Sequence, residues 1–168
     1  MNMFTVEDSP EESAYALCDK HSVKMISEST QMISHYIRAI HPNVKSDKMP
    51  ALAKSHFSHP VTVWTLKHVD NASWHLRHLI ALNNTYTSRY GREHVYRPLT
   101  DIFSLYIRSD NQPKFFPVCV HDDCIASGVL LRSGTLAEAI ASYRADYNKH
   151  KAYFAKWKMG NVPVWFHT

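Results

Sequence analysis

The sequence predicts an all-α protein that folds as a compact helical bundle, a single domain over residues 1–168. A length of 168 residues with 45% apolar side chains suits one hydrophobic core. Apolar residues recur at helical spacing in several long segments. Serine, threonine, proline and glycine stand where helices typically begin and end. Only the segment 3–6 has the composition of a strand.

Two helices are predicted near the start of the chain. Ser9 followed by Pro10 matches an N-cap and a first-turn proline, and predicts a short helix that ends near Leu17. Asp19 is expected to cap a long helix over 20–40. Spacings of three and four residues predict a buried stripe along this long helix, made of Val23, Ile26, Thr30, Ile33, Ile37 and Ile40.

The middle of the chain contains three further helix signals. A short helix is predicted over 51–56, and another begins at Pro60. A strong helix over about 71–90, with Asp70 or Asn71 as its N-cap, is expected to end where Gly91 supplies the C-cap.

The remainder is less regular. A helix is predicted from Pro98 to about residue 108, and a capping box at Thr135 opens a last helix that extends to about residue 158. Residues 109–134 are expected to form an ordered loop. The segment 162–166 is apolar, so we expect it to dock on the body of the protein.

Glycine and cysteine usage excludes several functional classes. The four glycines, at positions 91, 128, 134 and 160, form no dinucleotide-binding fingerprint, no P-loop and no nucleophile elbow. Three cysteines do not suit a disulfide framework. No stretch approaches 18 consecutive apolar residues, so we predict no membrane partner. The sequence therefore predicts a soluble cytoplasmic protein without a cofactor.

The charge is distributed unevenly along the chain. The formal net charge is +4, but residues 1–19 carry five carboxylates and neither Lys nor Arg. The remaining residues carry 19 basic side chains against 10 acidic ones, a net charge of +9. A basic body favours a polyanionic partner. Ordinary surface charge that keeps a protein in solution has the same composition.

The long helix predicted over 20–40 carries a polar face. At 100° per residue, its polar side chains His21, Lys24, Glu28 and His35 fall within an arc of about 60°. A proton carrier, an amine and a carboxylate on one face suit acid–base catalysis at a sugar carbon, or imine formation by Lys24. A solvated face with an ordinary ion pair has the same pattern.

Two other helices combine aromatic and basic residues. Trp74, His78 and Arg89 share one arc of the helix over 71–90, which suits base stacking and phosphate binding. A tryptophan at the core margin gives the same pattern. The last helix offers a second set of candidate nucleic-acid contacts, Tyr143, Arg144, Tyr147 and Lys151. Cations there also suit the negative end of a helix dipole.

One short segment contains metal-binding residue types. Cys119, His121 and Cys124 lie within six residues. The spacing lacks a CxxC pair, and no second ligand pair has zinc-finger spacing. We therefore predict no metal, while the sequence leaves open whether these three side chains bind one.

Several short motifs occur together along nearly the whole chain. They are Cys18-Asp19-Lys20-His21 with Val23-Lys24-Met25 and Glu28, His59-Pro60 with Trp64, Trp74 with His78, Arg89-Tyr90-Gly91 with His94, and Tyr143-Arg144 with Tyr147, Lys151 and Phe154-Ala155-Lys156-Trp157. In combination they resemble a family of small phage proteins that is mostly uncharacterised. A phage-encoded chain of this kind is expected in the host cytoplasm.

The spacing of Asp19, His21 and Glu28 also resembles the phage pyrimidine-dimer DNA glycosylases, known as endonuclease V. The resemblance implies a similar compact helical fold, with Glu28 as the assisting carboxylate and His21 as a site neighbour. It also implies that an N-terminal α-amine attacks the sugar carbon. Amines of this type titrate near pH 8 in model peptides, so they are partly nucleophilic at neutral pH.

The sequence departs from this glycosylase family at three positions. In the family, loss of Met exposes the amine of a small residue, whereas here Asn2 follows Met1. The amine is therefore expected to be that of Met1 or of Asn2. Ser27 and Gln31 stand where the family has arginines beside the Glu, so that phosphate contact is missing.

These patterns predict a DNA N-glycosylase, with or without lyase activity, that acts on a modified or damaged base in an extruded nucleotide. The predicted catalytic residues are Glu28, His21 and Lys24. The predicted substrate contacts are Lys20, His59, Trp74, His78, Arg89, His94, Tyr143, Arg144, Tyr147 and Lys151.

Two other functions fit the same sequence. One is an enzyme that acts on free nucleotides or nucleosides, and the other is a non-enzymatic phage protein that binds nucleic acid or a host factor. DNA is favoured over RNA as the partner. The number of subunits and the identity of the nucleophile, which is the Met1 amine, Lys24 or water, stay open.

Overall fold

The computed structural model describes residues 1–44, 47–159 and 162–167. Six α-helices lie in this part of the chain: α1 (Pro10–Ala16), α2 (Asp19–Ile40), α3 (Pro60–Lys67), α4 (Val69–Tyr90), α5 (Arg97–Ser104) and α6 (Leu136–Asp146). Two short strands, β1 (Phe116–Pro117) and β2 (Ser133–Gly134), pair antiparallel. The prediction of a mainly helical chain is therefore confirmed.

Helix α4 is central to the packing, since it contacts α1, α2, α3 and α5. Helix α2 lies against α4 through a stripe that largely matches the predicted one, because Ile26, Thr30, Ile33 and Ile37 are all buried. The two ends of that stripe were predicted wrongly. Val23 is 36% exposed although its neighbours Ser22 and Met25 are buried, so it lies at the edge of the covered face. Ile40, the last residue of α2, is 50% exposed. None of the helices among the described residues combines the length and the hydropathy that a bilayer span requires.

Local signals fixed several helix ends as predicted. The Ser9 hydroxyl accepts a hydrogen bond from the backbone N–H of Glu12 at the start of α1. Thr135 and Glu138 form a reciprocal capping box at the start of α6. Gly91 ends α4 in the left-handed region with φ 68°, which costs a glycine little.

The predicted caps of α2 and α4 are wrong. Cys18 occupies the N-cap position of α2, because the Asp19 carboxylate instead accepts from Arg89 and from the backbone N–H of Lys158. At α4, the imidazole of His68 caps the helix by accepting from the N–H of Asp70. Neither cap position follows the usual preference for Ser, Thr, Asp or Asn.

Other predicted elements are shorter than expected. The segment 51–56 forms only a 3₁₀ turn at Lys54–His56, and α5 ends at Ser104. The last helix ends at Asp146 and continues as one π-helical turn, Tyr147–Lys151. The apolar tail docks as expected, since Phe166 is buried.

The segment 3–6 is not a strand. All four residues are buried, so the segment runs through the interior with no polar face of the kind an edge strand presents to water. Backbone N–H groups of this segment donate hydrogen bonds to side chains and not to the carbonyls of a neighbouring strand. The Ser13 hydroxyl accepts from the N–H of Val6, and the Asn2 side chain accepts from the N–H of Met3.

Arg89 joins three helices at the end of α4. Its side chain is 5% exposed, and its guanidinium donates to the carbonyls of Tyr15 and Leu17, to the Asp19 carboxylate and to the Ser22 hydroxyl. These contacts hold the end of α1 and the start of α2 against α4. The guanidinium is thus used internally and is not presented to a ligand.

Replacing Arg89 should therefore destabilise the fold. We expect Arg89→Met to lower the free energy of unfolding by about 2 kcal/mol, because several buried acceptors lose a charged donor. Urea denaturation measures this change. The matched control is Arg92→Met one turn later, where the side chain is exposed. An equal loss in both variants would contradict the role given to Arg89.

Candidate active site

The first two residues of the chain contact the carboxylate of Glu28. The α-amine of Met1 is 3.5 Å from Glu28 Oε2, and the backbone N–H of Asn2 donates to the same oxygen at 2.9 Å. Lys24 Nζ lies 3.3 Å from the other oxygen, Oε1. The Glu28 side chain is only 13% exposed. Two amines therefore flank one largely buried carboxylate.

Asn2 fixes the position of the first residues. Its amide nitrogen donates to the carbonyl of Cys119 at 3.0 Å. Its Oδ1 accepts from the Tyr143 hydroxyl at 2.8 Å and from the N–H of Met3 at 2.8 Å. The sequence named Asn2 only as an alternative source of the amine. Its positioning role was missed, because these partners are distant in sequence and the segment before α1 has no periodicity.

His59 lies close enough to this site to sense its charges. Its Nδ1 caps α3 by accepting from the N–H of Val61 at 3.3 Å. Burial lowers the pKa of His59, and the positive charges of the amino terminus and of His56 lower the pKa further, while Glu28 raises it. His59 is therefore mainly a neutral imidazole at pH 7, and it lies within reach of the charges of the Met1 amine and of Glu28. His56 is a neighbour that sequence reasoning missed.

His21 lies beneath the site in an aromatic layer. Its ring stacks on Phe4 at 4.3 Å between centroids, and the edge of Phe154 lies 5.3 Å away. Its Nδ1 makes a hydrogen bond with the Tyr147 hydroxyl. Burial, followed by the charges of Lys151, Lys24 and Lys20, lowers the pKa of His21 to about 3. The imidazole is thus neutral at pH 7, and its bonding partner is Tyr147 rather than Glu28.

The two predicted aromatic contacts on the last helix are internal. Tyr143 and Tyr147 are fully buried, and the Phe4 ring packs edge-on against both. Neither ring is exposed to a base. Tyr143 instead connects two segments, because its hydroxyl bonds Asn2 and also accepts from the N–H of Cys119. Tyr143 therefore positions the amine through Asn2.

The predicted basic contacts divide into cations on the surface and cations that are held by internal partners. Lys20 and Lys24 are exposed on α2, and Lys20 lies 4.5 Å from the centre of the Phe154 ring. Arg144 binds the Glu7 carboxylate and the carbonyl of Val6. Lys151 is paired with the buried carboxylate of Asp146. Lys20 and Lys24 are thus the predicted basic contacts that are exposed on the same helix as Glu28.

Three predicted contacts have other neighbours. Trp74 and His78 are buried on α4, and the Trp74 ring packs edge-on against Phe116 at 4.9 Å. Both ring nitrogens of His78 lack a hydrogen-bond partner among the described residues. His94 follows α4 and packs against the rings of Tyr86 and Tyr96. The structure does not bring these three side chains to Glu28.

A separate cleft of about 700 Å³ opens between the α3–α4 junction and the segment before β1. Trp64, Asp70, Asn71 and Lys114 are among its lining residues. None of the predicted site residues lines this cleft, so it is distinct from the surroundings of Glu28. Comparison with models of known protein families, with curated proteins and with solved structures finds no match for this chain.

Proposed function

We propose that the protein is a DNA N-glycosylase in which the N-terminal amine attacks the sugar beside Glu28. The observation that carries this proposal is the contact of the Met1 amine with a carboxylate that is only 13% exposed. An amine can replace a base at C1′ of a nucleotide, and a carboxylate at the same point can stabilise the positive charge that develops there. Asn2 holds the amine in place, which supplies the positioning that such a reaction needs.

The proposed reaction needs only the amine, the Glu28 carboxylate and water. The neutral amine forms a bond to C1′ while the bond from C1′ to the base breaks and its electron pair leaves with the base. The departing base takes up one proton, and Glu28 accepts one from the attacking nitrogen. Opening of the sugar then gives an imine, and the proton from Glu28 passes to the ring oxygen, which becomes a hydroxyl. Glu28 ends this sequence as a carboxylate. Water then hydrolyses the imine, which releases the sugar aldehyde, frees the amine for another turnover and returns the proton that the base took up.

Lys24 is the second amine at this carboxylate. Its side chain is 62% exposed, so it faces solvent on the outer side of Glu28. This position suits a contact to a DNA phosphate, together with Lys20 on the same helix. Lys24 stays the alternative nucleophile, because its Nζ lies as close to the carboxylate as the Met1 amine does.

Borohydride trapping on DNA that contains an abasic site tests the proposal. This probe presents the sugar aldehyde and so does not depend on which base is released. We expect a covalent protein–DNA adduct that peptide mapping places on Met1. Adding one Ser before Met1 should reduce the adduct at least tenfold, because it displaces the amine from Glu28.

Lys24→Arg is the matched variant, since it keeps the charge and removes the second amine. An adduct that survives Lys24→Arg and is lost in the extended chain supports the Met1 amine. An adduct that maps to Lys24 would identify Lys24, and not the Met1 amine, as the nucleophile. Adducts scattered over surface lysines would overturn the proposal.

A further inference from the structure

Two segments that are distant in sequence bring metal-binding side chains together near the end of α6. One segment contains Asp123 and Cys124, in a 3₁₀ turn after His121. The other contains Asp146 and the π-helical turn that carries His150. Ligand atoms of Asp123, Cys124 and His150 all lie within 4.8 Å of one another, and so do those of His121, Asp146 and His150.

The individual distances suit a shared ion. His150 Nε2 is 2.9 Å from Asp123 Oδ1, and Cys124 Sγ is 3.5 Å from the same oxygen. The rings of His121 and His150 are stacked with their centres 3.9 Å apart. Ligands around a tetrahedral zinc ion lie roughly 3.5 Å from one another, so small side-chain rotations are sufficient.

The π-helical turn is what makes this arrangement possible. A π turn is wider than an α turn and is frequent at functional sites. Here it follows α6 directly and presents His150 towards the 3₁₀ turn, where Asp123 accepts its hydrogen bond. Local sequence spacing could not reveal this pairing, because the two segments are more than 20 residues apart.

Asp146 already orients one of the imidazoles. Its carboxylate is fully buried and lies 2.6 Å from His121 Nδ1. This contact leaves Nε2 as the free ligand nitrogen of His121. A carboxylate that holds the second nitrogen of a metal-binding histidine is a common outer partner of zinc sites.

We infer that Asp123, Cys124 and His150 bind a zinc ion, and that His121, whose ligand atom lies within 4.8 Å of that of His150, turns from its stacked position to become the fourth ligand. The set of one thiolate, one carboxylate and two imidazoles is typical of zinc. Lys149 now pairs with Asp123 at 2.6 Å, but its side chain is 58% exposed and can swing into solvent when the ion takes its place. The ion would tie the 3₁₀ turn to the π turn, next to the tyrosines that hold Asn2 and His21.

Cobalt titration of the untagged full chain, after dialysis against a chelator, tests this site. We expect one Co²⁺ per chain, with the near-ultraviolet band of a cobalt–thiolate bond, and displacement of Co²⁺ by one equivalent of Zn²⁺. Cys124→Ser should remove the band, and both Cys124→Ser and His150→Gln should weaken binding roughly 10- to 100-fold.

Cys119→Ser and His167→Gln are the matched controls, and both should leave the titration unchanged. Circular dichroism verifies that each metal-free variant is folded. Binding without a thiolate band, an affinity that is unchanged in Cys124→Ser, or no stoichiometric binding by the folded wild-type chain would overturn the zinc site. The proposed glycosylase reaction would stand in each case, because trapping on abasic DNA is measured without metal.

Discussion

Glu28→Gln is expected to lower the rates of base release and of adduct formation about 10²- to 10⁴-fold. The amide keeps the shape of the side chain, and its oxygen can still accept from the N–H of Asn2. It can neither take a proton from the attacking amine nor stabilise a positive sugar. Single-turnover kinetics on an abasic or damaged duplex measures the loss.

The affinity for DNA separates this effect from a general loss of structure. We expect the dissociation constant of Glu28→Gln to change little, because Lys20 and Lys24 still face solvent on α2. Glu93→Gln is the matched control, since Glu93 is exposed after the end of α4. If the Glu28→Gln protein reacts at the wild-type rate, the Glu28 carboxylate takes no part in the reaction.

Mild acid should unfold the protein through the buried histidines of α4. His75 and His78 are fully buried. Burial, together with the charge of His78 in the case of His75, lowers the pKa of each to about 3. Above pH 6.5 both imidazoles are neutral in the folded and the unfolded chain. Below pH 6.5 only the unfolded chain takes up protons, so stability falls until the pH nears 3.

Each histidine should contribute about 1.4 kcal/mol of destabilisation per pH unit in this window. Because the unfolded imidazoles are already half protonated at pH 6.5, the two together lower the free energy of unfolding by about 3 kcal/mol between pH 6.5 and pH 5. Urea denaturation at a series of pH values measures the slope. In the folded chain Thr65 faces the His75 ring, since its Oγ1 lies 2.8 Å from His75 Nδ1 and donates its own proton to the carbonyl of Val61.

His78→Leu isolates one of these contributions. It should reduce the slope by about a third, because His21, whose pKa is also lowered to about 3, contributes an equal share. It should cost little at pH 7, because neither ring nitrogen of His78 has a hydrogen-bond partner among the described residues. His167→Leu, at an exposed position, should leave the slope unchanged. A slope that is the same in wild type and His78→Leu would show that His78 takes up its proton without unfolding.

The sequence predicted correctly those features that depend on residues close to one another in the chain. Ser9, Thr135 and Gly91 act through hydrogen bonds and backbone angles within a few residues of themselves, so their patterns are visible in the chain. The segment around Glu28 belongs here too, since Lys24 and Glu28 meet through an ordinary i,i+4 spacing. Helix periodicity alone was sufficient to place both on one face.

The failures are those of long-range packing. Trp74 and His78 share an arc with polar neighbours, which suggested an accessible face, but α4 is enclosed by other helices and the arc is buried. Periodicity shows which residues share a face and does not show how many faces are covered. The positioning role of Asn2 was missed for a related reason, because its partners Cys119 and Tyr143 lie more than 100 residues away.

The wide turn after α6 makes the chain sensitive to its own length at that point. A π turn holds one residue more than regular winding would need. Deleting Asn148 would let α6 continue in regular winding, so Lys151 would stand four residues after Asp146 and keep its face of the helix. Inserting one residue there would instead rotate each later side chain by about 100° about the axis, so Lys151 would leave Asp146 and the docking of Trp165 on Glu7 would lose its register. The turn should therefore tolerate a single-residue deletion far better than a single-residue insertion.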